Sequence, residues 1–240
     1  GRSSGNIRFI HNPVYKLAAS NIVMDYKDGS QYKVLVTKDG KAVGTVTVDI
    51  CITELEDYVK GITAADYERI KPCVETVRSF ALTTHQSIYI IDFFKRNFLY
   101  VSDNPIILCG QTAETMQKMG YKFFHTHVPE EELPMLKSLN QVAFKVFYDT
   151  PAEHRRQCML SFDFHMRRDD RLILLNQRST PMALTKDGAI WLTLATVSIS
   201  SHKEAGHIEF FRFYSRERFE YSLEHKCWNK CRKCNNNSKR

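Results

Sequence analysis

QSIYIIDFFKRNFLYVSDNPIILCG, residues 86–110, is the stretch whose reading decides the fold. Residues 87–94 are a β-branched and aromatic run, Lys95, Arg96 and Asn97 are a polar break, and residues 98–102 are a second such run. Two runs of this composition separated by a short polar break predict a β-hairpin. Asp103 or Asn104 then ends the second strand and caps a short helix. Pro105 takes its first position, where a missing N–H costs nothing, and Gly110 closes it after Ile106, Ile107 and Leu108.

Upstream, residues 63–84 read as helical, with a break or new start at Pro72. Ile70, Val74, Val77 and Ala81 are spaced to line one helix face. That face either packs on its own domain, the expected outcome, or forms a dimer seam. Residues 6–62 are a small strand-rich segment with strands at 7–10, 21–25, 32–37 and 43–52. Asp39-Gly40 supplies the turn between the last two, since Asp-Gly readily adopts the positive φ of tight hairpins.

Downstream, residues 112–119 are a short helix and Gly120-Tyr121-Lys122-Phe123-Phe124 an aromatic stretch. Pro129, followed by Glu130, Glu131 and Glu132, starts a long helix, because negative charge in the first turn complements the macrodipole. Leu133, Leu136, Leu139, Ala143, Val146 and Phe147 form its apolar face. Residues 159–166 alternate Leu160, Phe162, Phe164 and Met166 with Met159, Ser161, Asp163 and His165, which is the period of a strand. Residues 172–182 and 190–200 are two further strands joined by a Lys186-Asp187-Gly188 turn.

Composition places this chain among folded proteins. Its 240 residues are 43% hydrophobic, enough for a packed core, so a disordered chain is excluded. No run approaches the roughly 18 apolar residues of a membrane helix, and residues 1–9, GRSSGNIRF, lack the apolar stretch of a signal peptide, GRSSG reading as a flexible leader. Seven cysteines, an odd number in a chain too large to need disulfide staples, point to reduced thiols and a cytoplasmic setting. The net charge is +7, and residues 226–240 carry six basic residues and no acidic one, so the rest is nearly neutral. Any nucleic-acid affinity is then local to residues 225–240, whose NNNSKR ending reads first as a solvated terminus.

Strand, strand, short helices, long helix and three antiparallel strands resembles the element order of a PAS domain, the sensor fold of many bacterial regulators. Val128-Pro129-Glu130-Glu131 is similar to the His-Pro-Asp-Asp type sequence that introduces the long helix there. Residues 66–72 (DYERIKP), 89–92 (YIID) and 188–192 (GAIWL) resemble regulators in which such a sensor precedes a LuxR-type helix-turn-helix. The segment 1–62 is similar to a shortened PAS-like unit, with Asp49-Ile50 leading into Thr53-Glu54 in the manner of the family's terminal hairpin. After Trp228 the resemblance stops, since KCRKCNNNSKR holds no recognition helix.

The resemblance implies an α+β fold, a PAS-like five-stranded antiparallel sheet with flanking helices over residues 85–202. The small segment 1–62 and a helical linker 63–84 precede it; a β-hairpin connector 203–224 and a basic cysteine-containing tail 225–240 follow. It also implies a homodimer, an unidentified small-molecule ligand or partner protein, DNA contact only through a helix-turn-helix not seen here, and no membrane. The ligand cavity is expected to be lined by Ile90, Phe98, Tyr100, Phe123, Phe124, Phe162 and Leu194, which alternatively fill a core by packing on each other. A ligand-free interaction or dimerisation module is the other function these residues allow.

Other chemistry finds less support. His225, Cys227, Cys231 and Cys234 offer four zinc-type donors within ten residues, but so crowded a set reads by default as free thiols. His125 and His127 precede a helix with no histidine of its own, which argues against haem, and Cys109 lacks a flavin-type Asn-Cys-Arg-Phe-Leu setting. Ser161, Asp163 and His165 share a strand face and read as a solvated or dimer-facing side. With no Gly-x-Ser-x-Gly elbow and no Gly-rich phosphate loop, no enzyme activity and no cofactor are expected.

Overall fold

A computed structural model describes residues 22–28, 31–38, 41–49 and 59–231. The chain divides into two compact units, Gly1–Cys51 and Ile52–Arg240. In the first, β1 (Ile22–Asp28), β2 (Gln31–Lys38) and β3 (Lys41–Asp49) form an antiparallel sheet in chain order. The strand expected at 7–10 and the Thr53-Glu54 ending lie outside the described residues.

The second unit begins with α1 (Ala64–Ala81). A capping box starts it: the Thr63 N–H donates to Asp66 Oδ2 at 2.9 Å and the Asp66 N–H donates to Thr63 Oγ1 at 3.4 Å. The break expected at Pro72 does not occur, and the helix runs through it for 18 residues. An interior proline costs about 3 kcal/mol; docking of Tyr67, Ile70, Val74 and Val77 on the sheet, with Ala81 buried, offsets that cost. The stripe therefore packs on its own domain.

β4 (Ser87–Asp92) and β5 (Asn97–Val101) form the expected hairpin, its turn closed by Arg96 at φ +55°. The short helix expected after Pro105 is instead a run of turns. Cys109 at φ +51° and Gly110 at φ +81° are consecutive left-handed residues that no helix accommodates. Ser87 Oγ holds these turns, donating to the Asn104 carbonyl at 2.6 Å and accepting the Ile107 N–H at 3.1 Å.

Helices α2 (Ala113–Met119), α3 (Lys122–His127) and α4 (Leu133–Tyr148) then cross one face of the sheet, with a 3-10 turn at Glu130–Glu132 after Pro129. Leu139, Ala143, Val146 and Phe147 of α4 are buried, as its periodicity predicts. The short α5 (Ala152–Arg155) follows. Its Arg155 bonds the Phe147, Tyr148 and Thr150 carbonyls at 3.1 Å and the Gly188 carbonyl at 2.5 Å, tying the end of α4 to a distant hairpin. Gly188 is required there: its φ is +82°, and a Cβ would stand 2.7 Å from that of Ala152.

β6 (Cys158–Arg168), β7 (Arg171–Leu184) and β8 (Ile190–Ile199) complete the PAS-like core. The sheet runs β5-β4-β8-β7-β6 and continues through β9 (Gly206–Arg212), β10 (Glu217–Ser222) and β11 (Cys227–Lys230). Among the described residues it is wholly antiparallel and has eight strands, not the expected five. The difference lies in β9, which pairs along β6 from Cys158↔Arg212 to Asp163↔Gly206 and so joins the expected connector to the main sheet. The start of the expected tail is exposed but ordered as β11, where Trp228 packs on Phe210 and Tyr221 with ring centroids 6.0 and 5.1 Å apart.

Candidate functional site: the helix-covered face and its link to α1

The sheet has two unlike faces. Beneath α2, α3 and α4 lies an aromatic interior in which Tyr89, Phe98, Phe123, Phe162 and Phe164 are buried and Phe124 half-buried. The rings meet edge to face: Tyr89 and Phe98 at 5.3 Å and 80°, Phe98 and Tyr121 at 5.7 Å and 88°, Phe124 and Phe164 at 6.2 Å and 60°. Such geometry sets the electropositive edge of one ring on the electronegative face of the next. A polar pair crosses this interior, the Tyr89 hydroxyl donating to Gln177 Oε1 at 2.5 Å. Burial, and secondarily the nearby Tyr121, push the Tyr89 phenol well above its usual ionisation range, so it stays a donor.

On the opposite face, Ile88, Ile90, Tyr100, Trp191 and Leu192 are buried under α1. β4 is thus shared by two cores. At its end Asp92, 1% exposed, accepts a bond to Oδ2 from the Tyr67 hydroxyl at 2.6 Å and bonds to Oδ1 from the Phe94 and Lys95 N–H groups at 2.9 and 3.1 Å. Tyr67 packs edge to face on Trp191 at 5.3 Å, and the Lys95 ammonium lies 4.0 Å from the Tyr67 ring centre. Burial first, then the bond to Asp92, raises the Tyr67 phenol beyond its ordinary value. An open groove of about 520 Å³ adjoins this anchor, lined by Asp92, Lys95, Asn97, Phe98 and Leu99.

The seven residues expected to line one cavity divide between the two faces. Phe98, Phe123, Phe124 and Phe162 meet in the interior, while Ile90, Tyr100 and Leu194 belong to the core beneath α1. The cause is a β-bulge: Ile91 pairs with Phe98 and Ile90 with Tyr100, so Leu99 is an extra residue. Phe98 and Tyr100, two apart, then point to opposite faces. Leu194 pairs with Ile90 and follows it.

Other candidates are also relocated. Cys227 and Cys231 stand at the two ends of an extended segment, their α-carbons about 13 Å apart at the usual strand rise, too far to share one zinc ion. Cys234 lies outside the described residues. Cys109 is buried, and desolvation pushes its thiol up to about 11, away from reactive thiolate character. The His127 ring lies tilted against that of Phe123, with centroids 4.3 Å apart, and its Nδ1 bonds the Phe123 carbonyl at 2.8 Å. Ser161 and Asp163 are buried rather than solvated, whereas His165 pairs with Glu132 through its N–H at 2.8 Å and its Nδ1 at 2.5 Å. Glu132 thereby covers the edge of β6 beyond the last residue paired with β9. The Tyr67–Asp92 anchor had a sequence signal only in hindsight: an aspartate closing an apolar strand, where a turn leaves two N–H groups for it to accept.

No family model matches the chain, and no curated protein matches it. Among solved structures it is similar to the N-terminal domain of a diguanylate cyclase with PAS/PAC sensor from Marinobacter aquaeolei, at 11% identity and a TM-score of 0.36, over 48% of this chain and 94% of that one. It is also similar to the phage VqmA–DPO complex, at 13% identity and a TM-score of 0.32, over 63% of this chain and 57% of that one. At such scores the strand order, rather than either likeness, identifies the fold as PAS-like. Among the described residues no helix is long and apolar enough to cross a membrane.

Proposed function

We propose that this chain is the sensory or regulatory region of a PAS-type regulator, in which a small ligand or partner engages the helix-covered face and β4 passes the state of that face to α1. The observation that carries this reading is the burial of β4 on both sides. Tyr89 belongs to the aromatic interior, its neighbours Ile88 and Ile90 pack beneath α1, and Asp92 at the strand's end holds Tyr67 of that helix. A ligand acts only through different affinity for two arrangements, and a strand common to both cores couples them. The groove beside Asp92 has a volume in the range of small-molecule sites, and Phe98 belongs to both groove and interior.

Transmission runs through α1 or through homodimerisation. The LuxR-type assignment is the finer form of this proposal and rests on residues 66–72, 89–92 and 188–192. Among the described residues no helix follows the sheet, where that regulator type carries its DNA-binding helices. The region binds and relays and does not catalyse. A second reading, a ligand-free interaction module, is favoured by the filled aromatic interior and by Phe80 and Leu82, 55% and 87% exposed at the end of α1.

Hydrogen exchange on a Phe98→Ala variant tests the coupling. Loosening the interior is expected to raise exchange in residues 64–81 as well as in the hairpin. Faster exchange confined to the hairpin and α2 would contradict it.

A further inference from the structure

Asp163 is a buried carboxylate whose surroundings are unlike those of the buried Asp92. It has 0% exposure, and no lysine or arginine is paired with it among the described residues. Asn176 Nδ2 donates to its Oδ1 at 2.7 Å, and the Ser200 hydroxyl donates to its Oδ2 at 3.0 Å. Oδ2 also bonds His202 Nδ1, and the His202 ring stacks on that of His207 with centroids 3.9 Å apart and planes at 20°. The amide of Asn176 and the hydroxyl of Ser200 only partly compensate an anion taken out of water, which leaves a place for positive charge.

We infer that Asp163, His202 and His207 form a binding site for one divalent cation of the zinc type. Their donor atoms all lie within 4.8 Å of one another, and binding requires the stacked His202 and His207 rings to turn so that one nitrogen of each meets Asp163 at the roughly 3.3 Å edge of a tetrahedron with zinc-like bond lengths. Two imidazoles and one carboxylate suit zinc, cobalt or nickel, whereas magnesium and calcium favour oxygen donors. The outer shell is in place: Asn176, which also bonds Ser161 Oγ at 3.1 Å, fixes the carboxylate, and Ser200 accepts the His202 N–H at 3.0 Å. Both histidines are exposed, so an ion has a path from solvent.

The ligands come from β6, from the connection after β8 and from the start of β9. His207 has φ +45° beside Gly206 at φ +106°, a left-handed pair that turns the chain into β9 at the residue opposite Asp163. A bound ion would fasten the three added strands to the PAS-like core, and its occupancy would set how firmly they are held.

Cobalt and zinc titrations of the chelator-treated full chain test this. The triple variant Cys227→Ser, Cys231→Ser, Cys234→Ser is expected to take up one equivalent with unchanged affinity. Its cobalt form should show tetrahedral visible bands without thiolate charge transfer. His207→Ala, a change at an exposed position, is expected to weaken binding at least tenfold, and Asn176→Ala about tenfold through the carboxylate's orientation. Failure of the parent chain to bind at micromolar metal would overturn the site. So would uptake that persists in His207→Ala and disappears in the triple cysteine variant.

Discussion

Tyr67 and Asp92 join an exposed helix to a buried strand end with one hydroxyl. Tyr67→Phe removes the donor to Oδ2 and leaves that oxygen buried, which should cost about 1.5–3 kcal/mol, the range for hydrogen bonds to charged groups. Urea denaturation of the variant measures this loss, and a change under 0.5 kcal/mol would show the bond to be incidental. The tyrosines also set an alkaline limit. Burial first of all raises the Tyr67, Tyr89 and Tyr100 phenols above their usual value near 10. Above that pH the unfolded chain releases phenolic protons that the folded chain keeps, so stability is full below pH 10 and falls as pH rises through the raised folded values. Unfolding free energies between pH 8 and 11 should be flat and then decline, with tyrosinate absorbance appearing alongside unfolding. Part of the aromatic interior was legible: Phe98, Phe123, Phe124 and Phe162 are expected lining residues and do meet there, whereas Tyr89 is not among those expected. The division of the expected lining residues between two faces was not, because the extra residue Leu99 reverses the face of everything before it on β5, and no composition marks a bulge.

At the scale of elements, local patterns translated well and long-range pairings did not. The α4 stripe, the hairpin of β4 and β5 and the three strands β6 to β8 follow from periodicities of 3.6 and 2 that the chain carries within single windows. β9 to β11 join the sheet through contacts such as Cys158↔Arg212 and Phe219↔Lys230, whose partners lie far apart or in a basic stretch. The burial of Asp163, on a face whose alternation predicts a solvated or dimer-facing side, is hidden for a similar reason: His202, which covers it, stands 39 residues away. Pro72 and the turns after Pro105 show opposite outcomes for the same residue type. Tertiary docking overrides the first, whereas two left-handed residues stop a helix from forming after the second. β11 is the edge of the sheet, and Trp228 is its half-buried anchor. Trp228→Ala should cost about 1–2 kcal/mol, less than truncation of a fully buried aromatic. Hydrogen exchange should quicken first in Glu217–Ser222 while β4 and β8 stay protected; equal loss of protection across the sheet would show β11 to be integral to the core.

Taken whole, the second unit is an antiparallel sheet covered by α2 to α4 on one side and by α1 near β4 and β5 on the other, so that β4 is buried on both faces. That arrangement gives a flanking helix a direct mechanical connection to an aromatic interior. The central claim is that this face takes a small ligand, and the measurement that tests it most directly is the native mass of the purified protein set beside its mass after denaturation. A native excess of a few hundred daltons, lost on denaturation, is the predicted result, and it would identify the ligand class. Masses that agree, or an excess matching zinc alone, would contradict the claim and leave a filled core serving an interaction module.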